Sequence, residues 1–405
     1  MRWRRRLVSL SVAVALASAA CGDGAGEPTL SRTEGAAPSP SDRGQFSYDP
    51  DDLPGGGTVP SSAVPAPVPT TTDAAPLPAG DRGAPPSPSP VPSVPATTVE
   101  RSGGEVALAV TEVAQGLDTV WALAWDPEGR LWFTERRGAL TRLGTPPRVV
   151  EGVVEEGEGG LMGLEFDDQG RAYVMYTGAT DNRVVRLEAD GSQTVLADGI
   201  ARAAIHNGGR LRRGPGGALF ASTGDAGRPE SAPDPASPNG KVLRIDPSGG
   251  EAGIFTSGHR NIQGLCVDGA GRLVATEHGP DRGDEINVLR AGDDGGWPAT
   301  VGNGIRNYTP TIAPAGCAVY TADLIPQWRG SLLFVTLKGE DLRRLSFGPD
   351  GAITGEEVLF DGEFGRLRDV SVGPDGAVYL ATSNRDGRGS PAAGDDRILR
   401  IAPAR

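Results

Sequence analysis

The stretch G-A-V-Y-L-A-T, residues 376–382, is one of six related segments in this chain of 405 residues. In each segment a glycine opens a run of apolar and β-branched residues that ends on a threonine. The segments begin at Gly129, Gly170, Gly217, Gly271, Gly330 and Gly376, so successive glycines lie 41, 47, 54, 59 and 46 residues apart. Apolar runs of this length, bounded by turn residues, predict buried β-strands.

Most of these runs are followed by a second apolar segment flanked by basic residues, such as R-V-V-R-L ending at Leu187 and R-I-L-R-I ending at Ile401. Each unit is therefore predicted to be a small sheet. Repeats of roughly 40 to 50 residues built in this way are typical of propellers, so six units predict an all-β fold, a six-bladed β-propeller over residues 105–405. We expect the apolar stretch Val106 to Val113 to supply the strand that closes the ring. The alternative is a β-sandwich in which the spacing is coincidental.

The first hundred residues have a different character. Residues 1–20 combine four arginines with a short apolar run that is too brief to span a bilayer, which predicts an export signal peptide. Small residues precede Cys21, as in a bacterial lipoprotein cleavage site, although Ser18 stands where leucine is usual. We expect an exported chain held on the outer face of the membrane by a lipid on Cys21. The alternative is ordinary cleavage and secretion.

Residues 21–104 are predicted to form a disordered linker rich in Pro, Ser, Thr and Gly. Residues 22–104 hold 17 of the 35 prolines and almost no large apolar side chains, so this segment cannot bury enough surface to fold. The net charge of −13 makes nucleic acid an unfavourable partner. After Cys21 only Cys266 and Cys317 remain, and they are either paired or separate buried thiols.

The three histidines, His206, His259 and His278, all lie beside glycine-rich loops. Histidine changes charge near neutral pH, so each is a candidate for acid–base chemistry, although an isolated histidine is more often structural. The segment T-E-H-G-P-D-R-G-D-E-I-N, residues 276–287, places a Gly-Pro turn directly after a strand. Fixed carbonyl oxygens of this kind suit calcium, whereas an acid-rich loop by itself is commonly only solvated.

Four basic residues lie in segments that look buried: Arg260, Lys338, Arg366 and Arg368. A buried cation without an anionic partner is costly. Internal Asp and Glu residues are one source of such partners. Because the four cations belong to three different blades and can converge only at the channel, the functional interpretation is a pocket for an anion.

From about Glu112 to the C-terminus, the chain resembles the glucose/sorbosone dehydrogenase family, whose members use pyrroloquinoline quinone (PQQ) and calcium on a six-bladed propeller. The most specific motifs are E-G-G-L-M-G-L (158–164), H-N-G-G-R-L (206–211), G-H-R-N-I-Q-G-L (258–265), E-H-G-P-D-R-G-D-E-I-N (277–287), G-G-W-P (295–298) and G-R-L-R-D-V (365–370). The resemblance implies a PQQ- and calcium-dependent aldose dehydrogenase. Such an enzyme oxidises the anomeric carbon of a sugar to a lactone and passes electrons to an external acceptor.

The resemblance also implies roles for individual residues. His206 would be the general base that takes the proton of the anomeric hydroxyl, and Arg260 would stabilise charge on the C5 oxygen of the quinone. The cofactor would be bound by Glu158, Asn261, Thr311, Lys338, Arg366 and Arg368. The backbone carbonyls of Gly279 and Pro280 would bind Ca²⁺.

Three positions depart from the pattern of the glucose-oxidising members. Glu158 replaces a glutamine near the reacting carbon, Ile205 replaces an acidic residue, and Thr309 replaces a tryptophan that shields the cofactor. We therefore expect a more open sugar site, and a monomer, because the insertions that assist dimerisation are missing. Two alternatives remain at this point: a carbohydrate-binding propeller without catalysis and a calcium-dependent lactonase.

Overall fold

The computed structural model of the chain describes residues 101–103, 106–250 and 252–404. The predicted signal peptide, Cys21 and nearly all of the predicted linker lie outside these residues. The described residues form six antiparallel sheets, and the inner strands of these sheets contact one another in a closed ring. None of the helices in the described ranges is long and apolar enough to cross a membrane.

Each sheet is one blade; the strands are numbered in chain order and are named for each blade from the channel outward. Blade 1 contains β3 (Val120–Trp125), β4 (Leu131–Glu135), β5 (Ala139–Arg142) and β6 (Arg148–Val149). Blade 2 contains β7 (Leu161–Phe166), β8 (Ala172–Thr177), β9 (Asn182–Leu187) and β10 (Gln193–Ile200). Blade 3 contains β11 (Leu211–Arg213), β12 (Leu219–Ser222), β13 (Val242–Ile245) and β14 (Ala252–Thr256).

The second half of the ring is built in the same way. Blade 4 contains β15 (Ile262–Val267), β16 (Leu273–Glu277), β17 (Asp284–Leu289) and β18 (Arg306–Tyr308). Blade 5 contains β19 (Pro314–Val319), β20 (Leu332–Thr336), β21 (Leu342–Phe347) and β22 (Ile353–Leu359). Blade 6 contains β23 (Leu367–Val372), β24 (Val378–Thr382), β25 (Ile398–Pro403), β2 (Val106–Ala114) and β1 (Arg101–Gly103). Short 3₁₀ helices cover Pro215–Gly217, Pro229–Ser231 and Pro326–Trp328.

The six glycine-to-threonine segments are the second strands of the six blades, which confirms the predicted propeller. All six glycines have φ between 74° and 80°, the left-handed region that glycine adopts without a steric penalty. Each therefore makes the turn that leads from the inner strand into the second strand. The six threonines that end the segments are fully buried.

The second strands are apolar on both faces because neighbouring blades cover both. Every residue of β20 and of β24 is buried. A strand covered on both faces appears in the sequence as a continuous apolar run and not as an alternating pattern. This packing gives the six segments their common composition.

The ring closes where the N-terminal strand joins the last blade. β2 pairs antiparallel with β25, with Val110 opposite Ile401, as predicted for residues 106–113. β1 pairs in turn with β2 and lies before residue 105, where the sequence places the start of the propeller. Blade 6 is thus assembled from both ends of the propeller region.

Cys266 and Cys317, whose pairing the sequence leaves open, form a disulfide. Cys266 lies in β15 and Cys317 in β19, so the bond joins the inner strands of blades 4 and 5. Both side chains are buried. The covalent link adds to the non-covalent packing between two blades that both border the channel.

We expect loss of this disulfide to lower stability without changing the fold. The bond spans 51 residues of chain, and a loop of that size contributes about 4 kcal/mol in the chain-entropy model. The Cys266→Ala/Cys317→Ala variant should unfold at a lower temperature than the wild type, and dithiothreitol should lower the melting temperature of the wild type alone. Labelling of Cys266 or Cys317 by a thiol reagent in the native, unreduced protein would contradict the pairing.

Candidate functional site

Two sets of loops meet at one end of the channel. Adjacent strands of a blade are antiparallel, so the connection that enters an inner strand lies at the same end as the connection that leaves a second strand. The loops that enter inner strands carry Glu158, His206, Arg260, Thr311 and Arg366. The loops that leave second strands carry Asp225, Gly279, Pro280, Lys338 and Arg388.

All but one of the ten predicted site residues line a single cavity of about 490 Å³ at this end. The exception is Arg368, which lines a small adjoining cavity together with Trp121 and Gln263. The two cavities share Glu158, Asn261, His278, Leu337 and Arg388. The propeller thus brings together residues that are up to 210 positions apart in the sequence, from 158 to 368.

His206 is held with one ring nitrogen fixed and the other without a partner. Its Nδ1–H donates to Asp225 Oδ1 at 2.8 Å, because a carboxylate can only accept. Nε2 is buried and has no hydrogen-bond partner. The backbone of His206 has φ 55°, which is uncommon for a residue with a side chain and is typical of functional positions. In the neutral tautomer that donates from Nδ1 to Asp225, the lone pair is on Nε2, and His206 lines the cavity.

Asp225 was not predicted as a site residue. It is 1% exposed, its Oδ1 also accepts from the Gly227 N–H at 2.8 Å, and its Oδ2 accepts from Trp297 Nε1–H at 2.9 Å. In the sequence it follows Gly224, where an added Cβ would lie 1.9 Å from the carbonyl oxygen of His206. The one signal for Asp225 is this T-G-D segment after a strand, which brings the carboxylate against the histidine.

Glu158 uses both of its oxygens in contacts with the protein. Oε2 accepts from the His206 backbone N–H at 2.8 Å, and Oε1 accepts from Arg388 Nη1 at 2.8 Å. Burial alone would raise the pKa of Glu158, but Arg388 and His206 outweigh it and lower the pKa to about 2. Glu158 is therefore an ionised residue that supports the left-handed backbone of His206. Arg388, which reaches it from blade 6, was not predicted.

Arg260 and Asn261 enter the cavity just before β15. Arg260 is 7% exposed, donates through Nη1 to the His278 carbonyl oxygen at 3.3 Å, and lies 5.7 Å from the centre of the Trp297 ring. Asn261 Oδ1 accepts from the Gly208 N–H and from Gln263 Nε2, which fixes its side chain. A guanidinium thus lines the same cavity as His206.

The other two histidines differ in their surroundings. His259 is 1% exposed and bonded at both ring nitrogens, to Thr256 and to Glu277, so it is a structural residue. His278 lines the cavity and donates through Nε2–H to the Pro314 carbonyl oxygen at 3.1 Å. Burial lowers the pKa of His278 to about 3 against the opposing effect of Glu158, so His278 is neutral at physiological pH.

The remaining cations occupy the side of the cavity formed by blades 5 and 6. Arg366 is buried and bonds to Asp386 Oδ2 through Nε and to the Leu337 carbonyl oxygen through Nη1. Arg368 bonds to Gln263 Oε1, and its Nε is buried without a partner. Burial, reinforced by Arg366 and opposed by Asp386, lowers the pKa of Arg368 to about 10.

Lys338 differs from the expectation that all four cations are buried. Its side chain is exposed at the cavity, because it leaves β20 at the open end of the channel, and Nζ donates to Thr311 Oγ1 at 3.3 Å. Asp386 is the internal acid that partly neutralises Arg366 and Arg368, with Oδ2 2.9 Å and 3.5 Å from their Nη2 atoms. Part of the positive charge of the predicted cation cluster is therefore neutralised by an internal acid, which is one of the two possibilities that the sequence left open.

The Gly279-Pro280 turn is closed by Asp284. Asp284 Oδ1 accepts from the Gly279 N–H, and Oδ2 accepts from the N–H groups of Ile312 and Ala313. Burial raises the pKa of Asp284 to about 6 against these three donors. An added Cβ at Gly279 would lie 2.0 Å from the Arg282 carbonyl oxygen, so only glycine fits. Among residues 106–250 and 252–404, no group of three or more His, Cys, Asp or Glu residues is placed to hold a metal ion.

The structure also shows the surroundings of Ile205 and Thr309, two of the positions that differ from the pattern of the glucose-oxidising members. Ile205 is buried beside Gly227. Thr309 is exposed, and its Oγ1 accepts from the Gly283 N–H at 3.1 Å, so it supports the loop that carries Gly279 and Pro280. Neither residue lines the cavity.

Several known sugar dehydrogenases are similar to this chain. The family model for Glucose / Sorbosone dehydrogenase matches residues 117–399. The aldose sugar dehydrogenase YliI of Escherichia coli K12 is 29% identical over 347 residues, which cover 71% of this chain and 91% of that protein. The structure of the PQQ-bound aldose sugar dehydrogenase from Streptomyces coelicolor is similar with a TM-score of 0.66 and 34% identity, covering 74% of this chain and 99% of that chain. Quinoprotein glucose dehydrogenase B of Acinetobacter calcoaceticus is 27% identical over 249 residues, which cover 47% of this chain and 52% of that protein.

The contacts of Glu158 predict a pH-dependent contribution to stability. Glu158→Gln removes the charge that faces Arg388 and should lower the free energy of unfolding at pH 7 by about 1–3 kcal/mol. Because the folded-state pKa lies below the ordinary value of 4.5, this contribution is present above about pH 4.5 and is lost as the pH falls toward 2.

Urea unfolding of the wild type and the variant between pH 7 and pH 3.5 measures this difference. Glu156→Gln is the matched control, since Glu156 is an exposed glutamate two residues away and pairs with Arg202. A difference that stays constant over the whole pH range would contradict the assigned role of Glu158.

Proposed function

Because this chain belongs to the glucose/sorbosone dehydrogenase family, we propose that it oxidises aldose sugars at the anomeric carbon to lactones, with PQQ as cofactor and an external electron acceptor. The observation that carries this proposal is the presence, on one cavity, of a histidine with an unpartnered Nε2 and several cations. The PQQ-bound state of the similar Streptomyces protein supports the choice of cofactor.

The residues present fit a ligand that carries several carboxylates. The cavity of about 490 Å³ has Arg366 and Lys338 on one side and Arg260 on another. Arg368 keeps a buried, unpartnered Nε in the adjoining cavity. Arg366 and Arg368 share one acid, Asp386, so positive charge remains for an anionic ligand. Lys338, Thr311, Arg366, Arg368 and Asn261 would hold the cofactor.

His206 is suited to remove the proton of the anomeric hydroxyl. The bond from Nδ1–H to Asp225 fixes the tautomer, so that Nε2 can accept a proton, and the Asp225 carboxylate stabilises the imidazolium that forms. When bound, PQQ supplies the quinone carbonyl that accepts the hydride from the same carbon. The sugar loses one proton and one hydride, which together are the two electrons and two protons of the oxidation to a lactone.

Arg260 would stabilise the negative charge that develops on the acceptor side. It is nearly buried, and its guanidinium is fixed by the His278 carbonyl oxygen and the Trp297 ring. A donor fixed before the reaction costs no reorganisation during it. Because His278 is neutral, it adds no further positive charge to the cavity.

The backbone carbonyls of Gly279 and Pro280 are proposed calcium ligands beside the cofactor. The turn is fixed by Asp284, and both residues line the cavity. Calcium, when bound there, would supply a Lewis acid. We further propose that the protein is exported; the Cys266–Cys317 disulfide supports an oxidising compartment.

The direct test is dye reduction by the purified chain supplied with PQQ, calcium and a panel of aldoses. Reduction that requires PQQ and a sugar together establishes the dehydrogenase and ranks its substrates, and omission of calcium tests the metal. Binding of a sugar without binding of PQQ would overturn the proposal in favour of a carbohydrate-binding propeller.

Replacement of the base should separate catalysis from cofactor binding. His206→Ala should lower kcat by at least about 100-fold, since Nε2 is the proton acceptor, and should leave PQQ affinity nearly unchanged. Stopped-flow dye reduction and fluorescence titration with PQQ measure the two effects. If about a tenth of the activity remained, His206 would not be the base.

Removal of a cation should weaken cofactor binding. Lys338→Ala and Arg366→Ala should each raise the Kd for PQQ by about tenfold to 100-fold, the effect of losing one charge-assisted hydrogen bond. Arg344→Ala is the control for a change of charge, because Arg344 lies on β21 and pairs with Glu357 away from the cavity. Unchanged PQQ affinity in both site variants would assign Lys338 and Arg366 to structural roles.

A further inference from the structure

Trp297 contacts Asp225, which binds the proposed base, and Arg260, the proposed stabiliser of negative charge. Its indole Nε1–H donates to Asp225 Oδ2 at 2.9 Å, and its ring lies 5.7 Å from the Arg260 guanidinium. The side chain is 6% exposed, and its backbone N–H donates to the Gly258 carbonyl oxygen at 2.9 Å. Trp297 belongs to the long connection between β17 and β18, which folds back to this end of the propeller.

The indole is the one hydrogen-bond donor that the structure gives to Asp225 Oδ2 among the described residues. Oδ1 is shared by His206 and Gly227. Because Asp225 is 1% exposed, water does not readily replace a lost donor. A hydrogen bond to a carboxylate spreads its negative charge over the donor. The indole therefore limits how strongly Asp225 stabilises a protonated His206.

Asp225 and Arg260 are also linked through the backbone. The Asp225 N–H donates to the Arg260 carbonyl oxygen at 2.8 Å. The indole thus contacts two residues whose main chains are already joined. Its two contacts fix the carboxylate of one and the guanidinium of the other, so that a single buried side chain sets their relative orientation.

We propose that Trp297 is a positioning residue. It sets the basicity of His206 through Asp225 and fixes the position of the Arg260 guanidinium relative to His206. This inference rests on the proposed role of His206, and it adds a residue that acts only through others. Loss of the indole N–H leaves more negative charge on Asp225. His206 then accepts a proton more readily and stays protonated to higher pH.

The other charged and titratable groups near His206 come from several blades. Glu158 accepts from its backbone N–H, Arg388 pairs with Glu158, Arg260 lies before β15, and His278 follows β16. Of these groups only Arg260 contacts the Trp297 ring, and Trp297→Phe keeps an aromatic ring at this position. A shift in the titration of His206 is then assigned to the indole–carboxylate hydrogen bond.

The chain offers a matched control for breaking such a bond. Trp132 Nε1–H donates to Asp126 Oδ2 at 2.8 Å, and Asp126 lines a separate cavity at the other end of the channel. Trp297→Phe and Trp132→Phe each remove one indole–carboxylate hydrogen bond and keep an aromatic ring. The Trp132 variant should leave the histidines of the active site unaffected.

The first experiment is an NMR titration of the full chain without cofactor, labelled at histidine. The sequence contains only three histidines, so three signals are expected. Trp297→Phe should raise the titration midpoint of the His206 signal by about one pH unit, while Trp132→Phe leaves it unchanged. In an Asp225→Asn background, Trp297→Phe should produce no further shift. An unchanged His206 midpoint in Trp297→Phe would overturn the proposal.

The second experiment is kinetic and separates this proposal from the proposed function. In the enzyme loaded with PQQ, the acid limb of the kcat profile should move to higher pH in Trp297→Phe and not in Trp132→Phe. If the wild type shows no turnover, the proposed function fails, and the NMR titration still decides the role of Trp297. If the wild type is active and the two variants share the wild-type profile, the role of Trp297 fails alone.

A measurement on the wild type covers the case in which Trp297→Phe does not fold. The indole N–H signal of Trp297, assigned from the backbone signals of its neighbours, should shift with the same midpoint as His206. An indole signal that does not respond to the protonation of His206 would overturn the proposal without any substitution.

Discussion

The pairing of β2 with β25 is the contact on which the rest of the structure depends. A single blade exposes two apolar faces, and each face is covered only if another blade lies against it. Six blades cover all of these faces only when the last one meets the first. The β2–β25 ladder makes blade 6 from both ends of the propeller region and so completes the ring.

Closure of the ring also creates the site. Once the inner strands surround one axis, the loops that enter them converge at one end, and each loop starts from a rigid strand. His206, Arg260 and Arg366 then face one cavity although they come from three blades. The precision of a site depends on the rigidity of the elements that carry it. Here the supporting bonds from Glu158, Asp225 and Asp284 to backbone and side-chain donors connect these loops to each other.

The site pairs most of its charged groups with one another. Asp386 faces Arg366 and Arg368, Arg388 faces Glu158, and Asp225 faces His206. Of the residues that line the two adjoining cavities, His206 Nε2 and Arg368 Nε are buried side-chain atoms without a hydrogen-bond partner in the described part of the chain. Buried polar atoms are otherwise almost always bonded, so these exceptions mark the places where a ligand or substrate would complete the set.

The sequence predicted the structural features that repeat and the residues that are rare in this chain. The six glycine-to-threonine runs predicted the blades, because every blade needs the same left-handed turn before a strand that is covered on both faces. His206 was predicted because the chain contains only three histidines. Asp225, Trp297 and Arg388 were not predicted, because an aspartate after a strand and a tryptophan in a loop acquire meaning only through contacts across blades. The disulfide stayed open for the same reason: 51 residues separate its cysteines, and only the register of neighbouring blades brings them together. Lys338 looked buried because it follows an apolar strand, yet that strand ends at the open face of the cavity.

We propose that one end of the channel binds PQQ, with His206 Nε2 facing the substrate space beside it. The decisive experiment is a crystal structure of the protein grown with PQQ, calcium and a sugar analogue that keeps its anomeric carbon but is not oxidised. We expect cofactor carboxylates within hydrogen-bond distance of Lys338, Arg366 and Arg368, with the anomeric carbon of the analogue at His206 Nε2. A cofactor bound elsewhere, or an analogue that contacts the cavity with Nε2 turned away from it, would contradict the claim.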